Sequence, residues 1–190
     1  MELSNISTKD IENELKYERN KIRFQRIVKG ALYALILVAA IAVLIATLIL
    51  PVLQISGSSM EPTLNHGEIV VLVKTAELKN GDLCGFSYSN KILIKRVIGV
   101  SGDIIFMDED GNVIVNGEML DEPYVTDKGY GECDIEFPYT VPENSYFLMG
   151  DHRQTSIDSR NSLIGCIEQT QIVGKIFLRV WPLRDISFIH

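Results

Sequence analysis

The sequence predicts a mainly β fold, a partly closed barrel-like domain, behind a single N-terminal transmembrane helix. Three observations predict it. From Gly30 to Leu50 there is no charged residue, and none follows until Glu61. Beyond that point, short runs of β-branched residues alternate with turns rich in Gly and Asn. No later segment keeps the apolar spacing of a soluble helix. A chain of 190 residues has room for one domain of ordinary size plus an anchor.

Residues 1–29 form a charged cytoplasmic tail. Glu12, Glu14, Lys16, Glu18 and Arg19 can pair along a polar helix, and a partly disordered tail is the alternative. From Lys21 to Lys29 every charge is positive: Lys21, Arg23, Arg26 and Lys29. Residues 30–51 then match the apolar helix of about 20 residues that crosses roughly 30 Å of hydrocarbon. A cleavable secretory signal has an apolar core of only about 7–15 residues behind a short basic region. This run is longer, so it reads as an uncleaved anchor. Its basic flank stays in the cytoplasm, which places residues 52–190 outside, as the extracytoplasmic domain of a single-pass protein of the cell membrane. Pro51 ends the helix, and Val52–Ser56 reads as a short apolar connector.

In the outer domain, Glu68–Lys74 is the first β-branched run. Asn80-Gly81-Asp82 turns into a short strand reaching Phe86, and Lys91–Val100 makes a longer strand closed by Ser101-Gly102-Asp103. Ile104–Met107 and Val113–Val115 flank Gly111-Asn112, and Asn116-Gly117 signals a hairpin. Residues 121–144 contain Pro123, Pro138, Pro142 and several acids, so they read as an irregular, lid-like excursion. Tyr146–Met149 and Ile172–Trp181 complete the strands.

The formal net charge is −7. Residues 1–29 hold seven Lys/Arg against five Asp/Glu, a balance of +2 that leaves −9 on the rest. An acidic main domain excludes nucleic acid as its partner, because phosphate binding needs a positive surface. Cys84, Cys133 and Cys166 lack CxxC spacing, which argues against a zinc or redox motif. They are three buried free thiols or, outside the cytoplasm, one pair and a remainder.

Ser59, in Gly57-Ser58-Ser59-Met60-Glu61-Pro62-Thr63-Leu64, sits on a turn just past the apolar run, where a hydroxyl can act as a nucleophile if a base is supplied. His66, His152 and His190 are the histidines. His66 and His190 read as surface residues, and His152 has only Asp151 or Asp158 nearby to orient it. Lys95 is the stranger residue, set in Ile92-Leu93-Ile94-Lys95-Arg96-Val97-Ile98. Alternation puts Lys95 on the face of Leu93 and Val97, and Arg96 on that of Ile94 and Ile98. Both cations could snorkel from an edge strand. A lysine held among apolar groups instead loses its charge more readily and can take a serine proton, whereas arginine stays charged.

Three segments together resemble the bacterial type I signal peptidases. Ser59-Met60-x-Pro62-Thr63-Leu64 is similar to that family's nucleophile box. Lys95-Arg96-Val97-Ile98-Gly99, continuing to Gly102-Asp103, is similar to its base box, and Gly150-Asp151-x-Arg153-x-x-Ser156-x-Asp158-Ser159-Arg160 to its third box. The resemblance implies Ser59 as nucleophile, Lys95 as base and Ser156 as the residue that orients the lysine. It implies Asp151, Asp158, Arg160 and Arg96 as ion pairs holding the third loop to the site. Met60, Leu64 and Ile94 fall where the family lines its pockets, although all three also read as ordinary core. It further implies secreted preproteins with Ala-x-Ala-like cleavage sites as substrates, in a mechanism needing no metal or cofactor. Gly57 departs from a serine that some members use as a second oxyanion donor, and His152, Gln154, Thr155 and Ser101 are further departures. Two other functions compete: a self-cleaving repressor, opposed by the anchor and the acidic domain, and a non-catalytic anchored β domain that binds secreted or envelope partners.

Overall fold

The computed structural model describes residues 8–74 and 77–189. The chain divides into two units between Leu48 and Ile49. The first holds the helix α1, Thr8–Ile49, of 42 residues, all but its last residue. Its charged half is rich in Glu, Lys and Arg and its apolar half in Leu and Ala, all good helix formers, and no proline intervenes before Pro51. The tail is therefore helical from Thr8 onward. At 1.5 Å per residue α1 is roughly 63 Å long, about twice a hydrocarbon core. Among the described residues it is the one helix long and apolar enough to cross a membrane. Residues 1–7 of the tail and His190 lie outside the described residues.

The second unit consists of two open antiparallel sheets. The larger contains β1 (Val52–Gln54), β2 (Ile69–Val73), β3 (Leu83–Tyr88), β4 (Lys91–Gly99), β9 (Ser145–Met149), β10 (Ile167–Glu168), β11 (Ile172–Trp181) and β12 (Ser187–Phe188). Its order is β1-β2-β11-β3-β4-β9-β10, with β12 also on β11. The smaller sheet has β5 (Ile104–Met107), β6 (Val113–Val115), β7 (Glu118–Met119) and β8 (Tyr139–Thr140), ordered β7-β6-β5-β8. The mainly β class is as the sequence predicts. The partly closed barrel is not formed: β1 and β10 edge the larger sheet and β7 and β8 the smaller, each pairing on one side only, so both sheets stay open.

The hairpin at Asn116-Gly117 has both residues at positive φ, 54° and 86°, and joins Val115 to Glu118 directly. Ser89-Asn90 makes the equivalent turn between β3 and β4. Two further expectations need correcting. Val52–Gln54 is no connector, since it pairs with Ile69–Val71 as the edge strand β1 and turns Leu53 toward the core. Residues 121–144 are irregular apart from β8, but they are not a detached lid, because Glu122 and Val141 are buried in the domain.

One detail of pairing positions the site. β4 pairs with β3 along its length, from Lys91 to Arg96, while β9 joins its other edge only at Arg96, Val97 and Gly99. The first half of β4 thus keeps one edge open, and so does β1.

Candidate active site

Ser59 sits in a turn stabilised by its own backbone: Glu61 N–H donates to Ser58 O at 3.0 Å and Leu64 N–H to Met60 O at 2.9 Å. Met60 and Leu64 drive into the core with Ile55, Val70, Leu72, Leu83 and Ile176, and Ile94 packs against them. Burying that pair fixes the turn and leaves Ser59 half-exposed on top. Among the described residues the Ser59 amide donates to no backbone acceptor, so it is free to meet a developing oxyanion.

Lys95 faces the same place from β4. Lys95 and Ser59 both line one cavity of about 110 Å³, walled further by residues 53–57, Met60 and residues 92–94. The two open edges, β1 and the first half of β4, supply most of that wall. Met60 and Ile94 are in the lining; Leu64 belongs to the core alone.

Lys95 is only 4% exposed. Its Nζ donates to Ser156 Oγ at 2.9 Å, and that hydroxyl donates to Asp158 Oδ2 at 2.6 Å. Gly150 makes the approach possible: a Cβ there would stand 2.3 Å from Ser156 Oγ and 2.6 Å from Ser59 O. Burial drives the Lys95 pKa down from 10.5 to about 8, with the Asp158 charge pulling it partly back up and Arg160 adding to the fall. The edge-strand alternative does not hold for either cation, because Arg96 is also buried.

The charged residues form a framework around this amine. Arg96 Nε and Nη2 donate to Asp151 at 2.8 and 2.7 Å, joined by Thr63 Oγ1 at 2.5 Å, so the nucleophile box, β4 and the third box meet on one carboxylate. Arg160 Nε donates to Asp158 Oδ1 at 2.8 Å, and its Nη1 to Tyr130 O at 2.7 Å. Burial opposes ionisation of Asp158, but the bonds from Arg160, Ser156 and Gly150 hold its carboxyl below the usual range. All seven predicted charged and hydroxyl residues are therefore together. His152 turns aside, its Nδ1 beside Thr155 Oγ1 at 3.0 Å.

Sequence reasoning missed Glu122 and Tyr124 and gave Arg153 and Thr63 no role beyond their motifs. Arg153, fully buried, forms an ion pair with Glu122, and Tyr124 lies under Arg96 with its ring centroid 3.8 Å from the guanidinium carbon. The one available signal was an arginine inside the third box that lacked a carboxylate partner there. Cys84, Cys133 and Cys166 are free; burial and then Asp82 push the Cys84 thiol up to about 12, which leaves it inert.

Comparison with known proteins gives consistent results. Residues 27–181 match the model of a family described as signal peptidase, peptidase S26. A signal peptidase I of Bacillus amyloliquefaciens is 32% identical over 183 residues, covering 90% of this chain and 98% of the relative. Signal peptidase I P of Bacillus subtilis subsp. natto is 36% identical over 184 residues, covering 90% and 96%. A crystal structure of a signal peptidase I from Enterococcus faecalis overlaps 53% of this chain and 97% of its own, at 26% identity and a TM-score of 0.45.

Proposed function

The chain belongs to the signal peptidase family, peptidase S26, whose members here are membrane-anchored serine peptidases that remove signal peptides, and from that premise we propose that Ser59 is the nucleophile and Lys95 the general base. The observation that carries this is a buried amine, bonded to a neutral hydroxyl, opening onto the same cavity as Ser59. The basic flank of α1 stays in the cytoplasm, and the domain from residue 52 onward works on the outer side of the cell membrane. α1 crosses once.

The preprotein's cleavage segment lies extended against the open edges of β1 and β4, where main-chain hydrogen bonds supply affinity. Shallow walls from Leu53, Met60, Ile92 and Ile94 select small residues, of the Ala-x-Ala kind, before the cut. Neutral Lys95 Nζ takes the proton from Ser59 Oγ as that oxygen attacks the carbonyl carbon. The Ser59 amide meets the oxyanion, an interaction of about 3 kcal/mol for a typical single donor. Lys95 then gives its proton to the departing amine of the mature chain. Water, deprotonated by the same amine, attacks the acyl carbon; the bond to Ser59 Oγ breaks, Lys95 returns the proton to that oxygen, and the signal peptide leaves with its new carboxylate. Ser156 holds Nζ in place throughout, and the Arg96–Asp151 and Arg160–Asp158 pairs hold Ser156. Anchoring confines enzyme and substrate to one plane, which raises their encounter.

The test is cleavage of a secreted preprotein by the full chain in lipid vesicles, with the product's N-terminus sequenced. Wild type cuts after a small residue, and Ser59→Ala and Lys95→Ala do not. Cleavage by either variant at the wild-type rate removes the dyad.

A further inference from the structure

We infer that His66 is a positioning residue for the nucleophile loop, acting through the Gly57 amide; this rests on Ser59 being the nucleophile. The Gly57 N–H donates to His66 Nδ1 at 3.2 Å. The turn that carries His66 is tied to the chain just ahead of that loop. Ile55 N–H donates to Glu68 O at 2.8 Å, Gly67 N–H to Ile55 O at 2.9 Å, and Glu68 N–H to Asn65 O at 3.2 Å. Glu68 fastens the same turn from its side chain, accepting from Asn65 Nδ2 at 3.1 Å and from Arg179 Nη1 at 3.0 Å. With its backbone held this way, the turn keeps the exposed imidazole within reach of the Gly57 amide.

Gly57 needs such a restraint. Its φ is +97°, a region that glycine enters freely, and no heavy atom lies within 4 Å of where its Cβ would stand. Packing therefore does not fix this residue. Two residues later, the Ser59 carbonyl accepts the His152 N–H at 3.1 Å. The loop is thus pinned on both sides of the nucleophile, by an imidazole before it and a backbone amide after it. Accepting at Nδ1 also sets the tautomer, with the proton on Nε2.

Freeing Gly57 moves the Ser59 hydroxyl and amide, the groups that act in the chemical step. The strand edges that hold the substrate's main chain belong to β1 and β4, and Met60, the wall residue on the loop itself, is anchored in the core, so these stay in place. Loss of the His66 acceptor thus lowers kcat and leaves KM nearly unchanged; a loss of folded enzyme would lower apparent kcat in the same way, so rates are referred to the folded fraction and the Asn and Phe variants separate the acceptor from bulk.

The experiment measures kcat and KM for preprotein cleavage by the vesicle-bound full chain carrying His66→Ala, His66→Phe or His66→Asn, with Ser59→Ala as control. Asn puts a carbonyl oxygen close to the Nδ1 position; Phe fills the ring space without an acceptor. The loss of one net hydrogen bond predicts a fall in kcat of about three- to tenfold for Ala and Phe, with Asn recovering most of it. Recovery by Phe, or an Asn variant no better than Ala, overturns the inference, as does an unchanged kcat in His66→Ala. These outcomes leave the nucleophile assignment intact so long as Ser59→Ala is inactive. An active Ser59→Ala overturns that assignment and the inference with it.

Discussion

The dryness of Lys95 has a kinetic signature that separates it from an ordinary lysine. Only the neutral amine accepts the Ser59 proton, so kcat/KM follows the deprotonated fraction and rises with pH through the pKa. At a pKa of about 8, roughly one-tenth of the amine is neutral at pH 7 and roughly nine-tenths at pH 9. The expected gain over those two pH units is therefore about tenfold, ending in a plateau. A solvent-exposed lysine titrating near 10.5 would still be climbing, with a gain of about a hundredfold over the same range. At pH 7 burial thus raises the reactive fraction roughly 300-fold. The assay is the initial rate of preprotein cleavage at substrate well below KM, in vesicles, from pH 6 to 10. A profile that breaks near 6.5 points to a histidine base, and one still rising tenfold per unit at pH 9.5 means that Lys95 is wet. Either result refutes the reasoning.

Three further outcomes follow from the same framework. Asp158→Asn removes the carboxylate that pulls the Lys95 pKa upward, so the acid limb of the rate profile moves to lower pH; a shift to higher pH contradicts the charge assignment. Lys95→Met abolishes cleavage yet stabilises the fold at pH 7. The folded pKa lies below the unfolded one, so the unfolded chain binds more protons between about pH 8 and 10.5, and stability rises with pH across that window. Below it wild type carries a penalty of about 3 kcal/mol, from which loss of the Ser156 bond subtracts about 1, so denaturant unfolding of Lys95→Met at pH 7 gives a net gain of about 2 kcal/mol that fades by pH 10.5. Glu122→Ala strands the buried Arg153 and costs about 3–5 kcal/mol, seen in thermal melts as a fall of roughly 10 °C; an unchanged midpoint removes Arg153 from the framework.

The parts of this molecule that show in its sequence are those where several consecutive residues state the same preference. β2, β4 and β11 are long β-branched runs, and α1 is long and uniformly helix-forming, so all four are legible. The two-residue strands β7, β8, β10 and β12 are too short to carry a period, and they form because their neighbours are already in place. β1 is hidden for a related reason, since three residues after a proline look like a linker until β2 supplies a partner. At the site, Lys95 stands out as a cation in an apolar strand, but nothing local says whether it is dry. That depends on Ser156, 61 residues away, which only the resemblance between boxes could connect to it. Glu122 and Tyr124 lie in an irregular segment with no motif, and their roles depend on tertiary packing alone.

The framework also explains why the lysine, of all the buried cations here, is the one able to give up its proton. Arg96, Arg153 and Arg160 are buried, and each has a carboxylate of its own: Asp151, Glu122 and Asp158. Lys95 is buried beside them with a hydroxyl as its hydrogen-bond partner. Four cations against three anions leave the cluster one charge in excess while Lys95 is protonated, and balanced once it is not. A buried surplus charge is costly, and among the four only the ammonium can shed it, because guanidinium groups stay charged. The ion pairs therefore do more than brace a loop. By engaging the three carboxylates they leave Asp158 offsetting only part of the cost of burial, and burial, with Arg160 adding to it, gives the amine its capacity to act as a base.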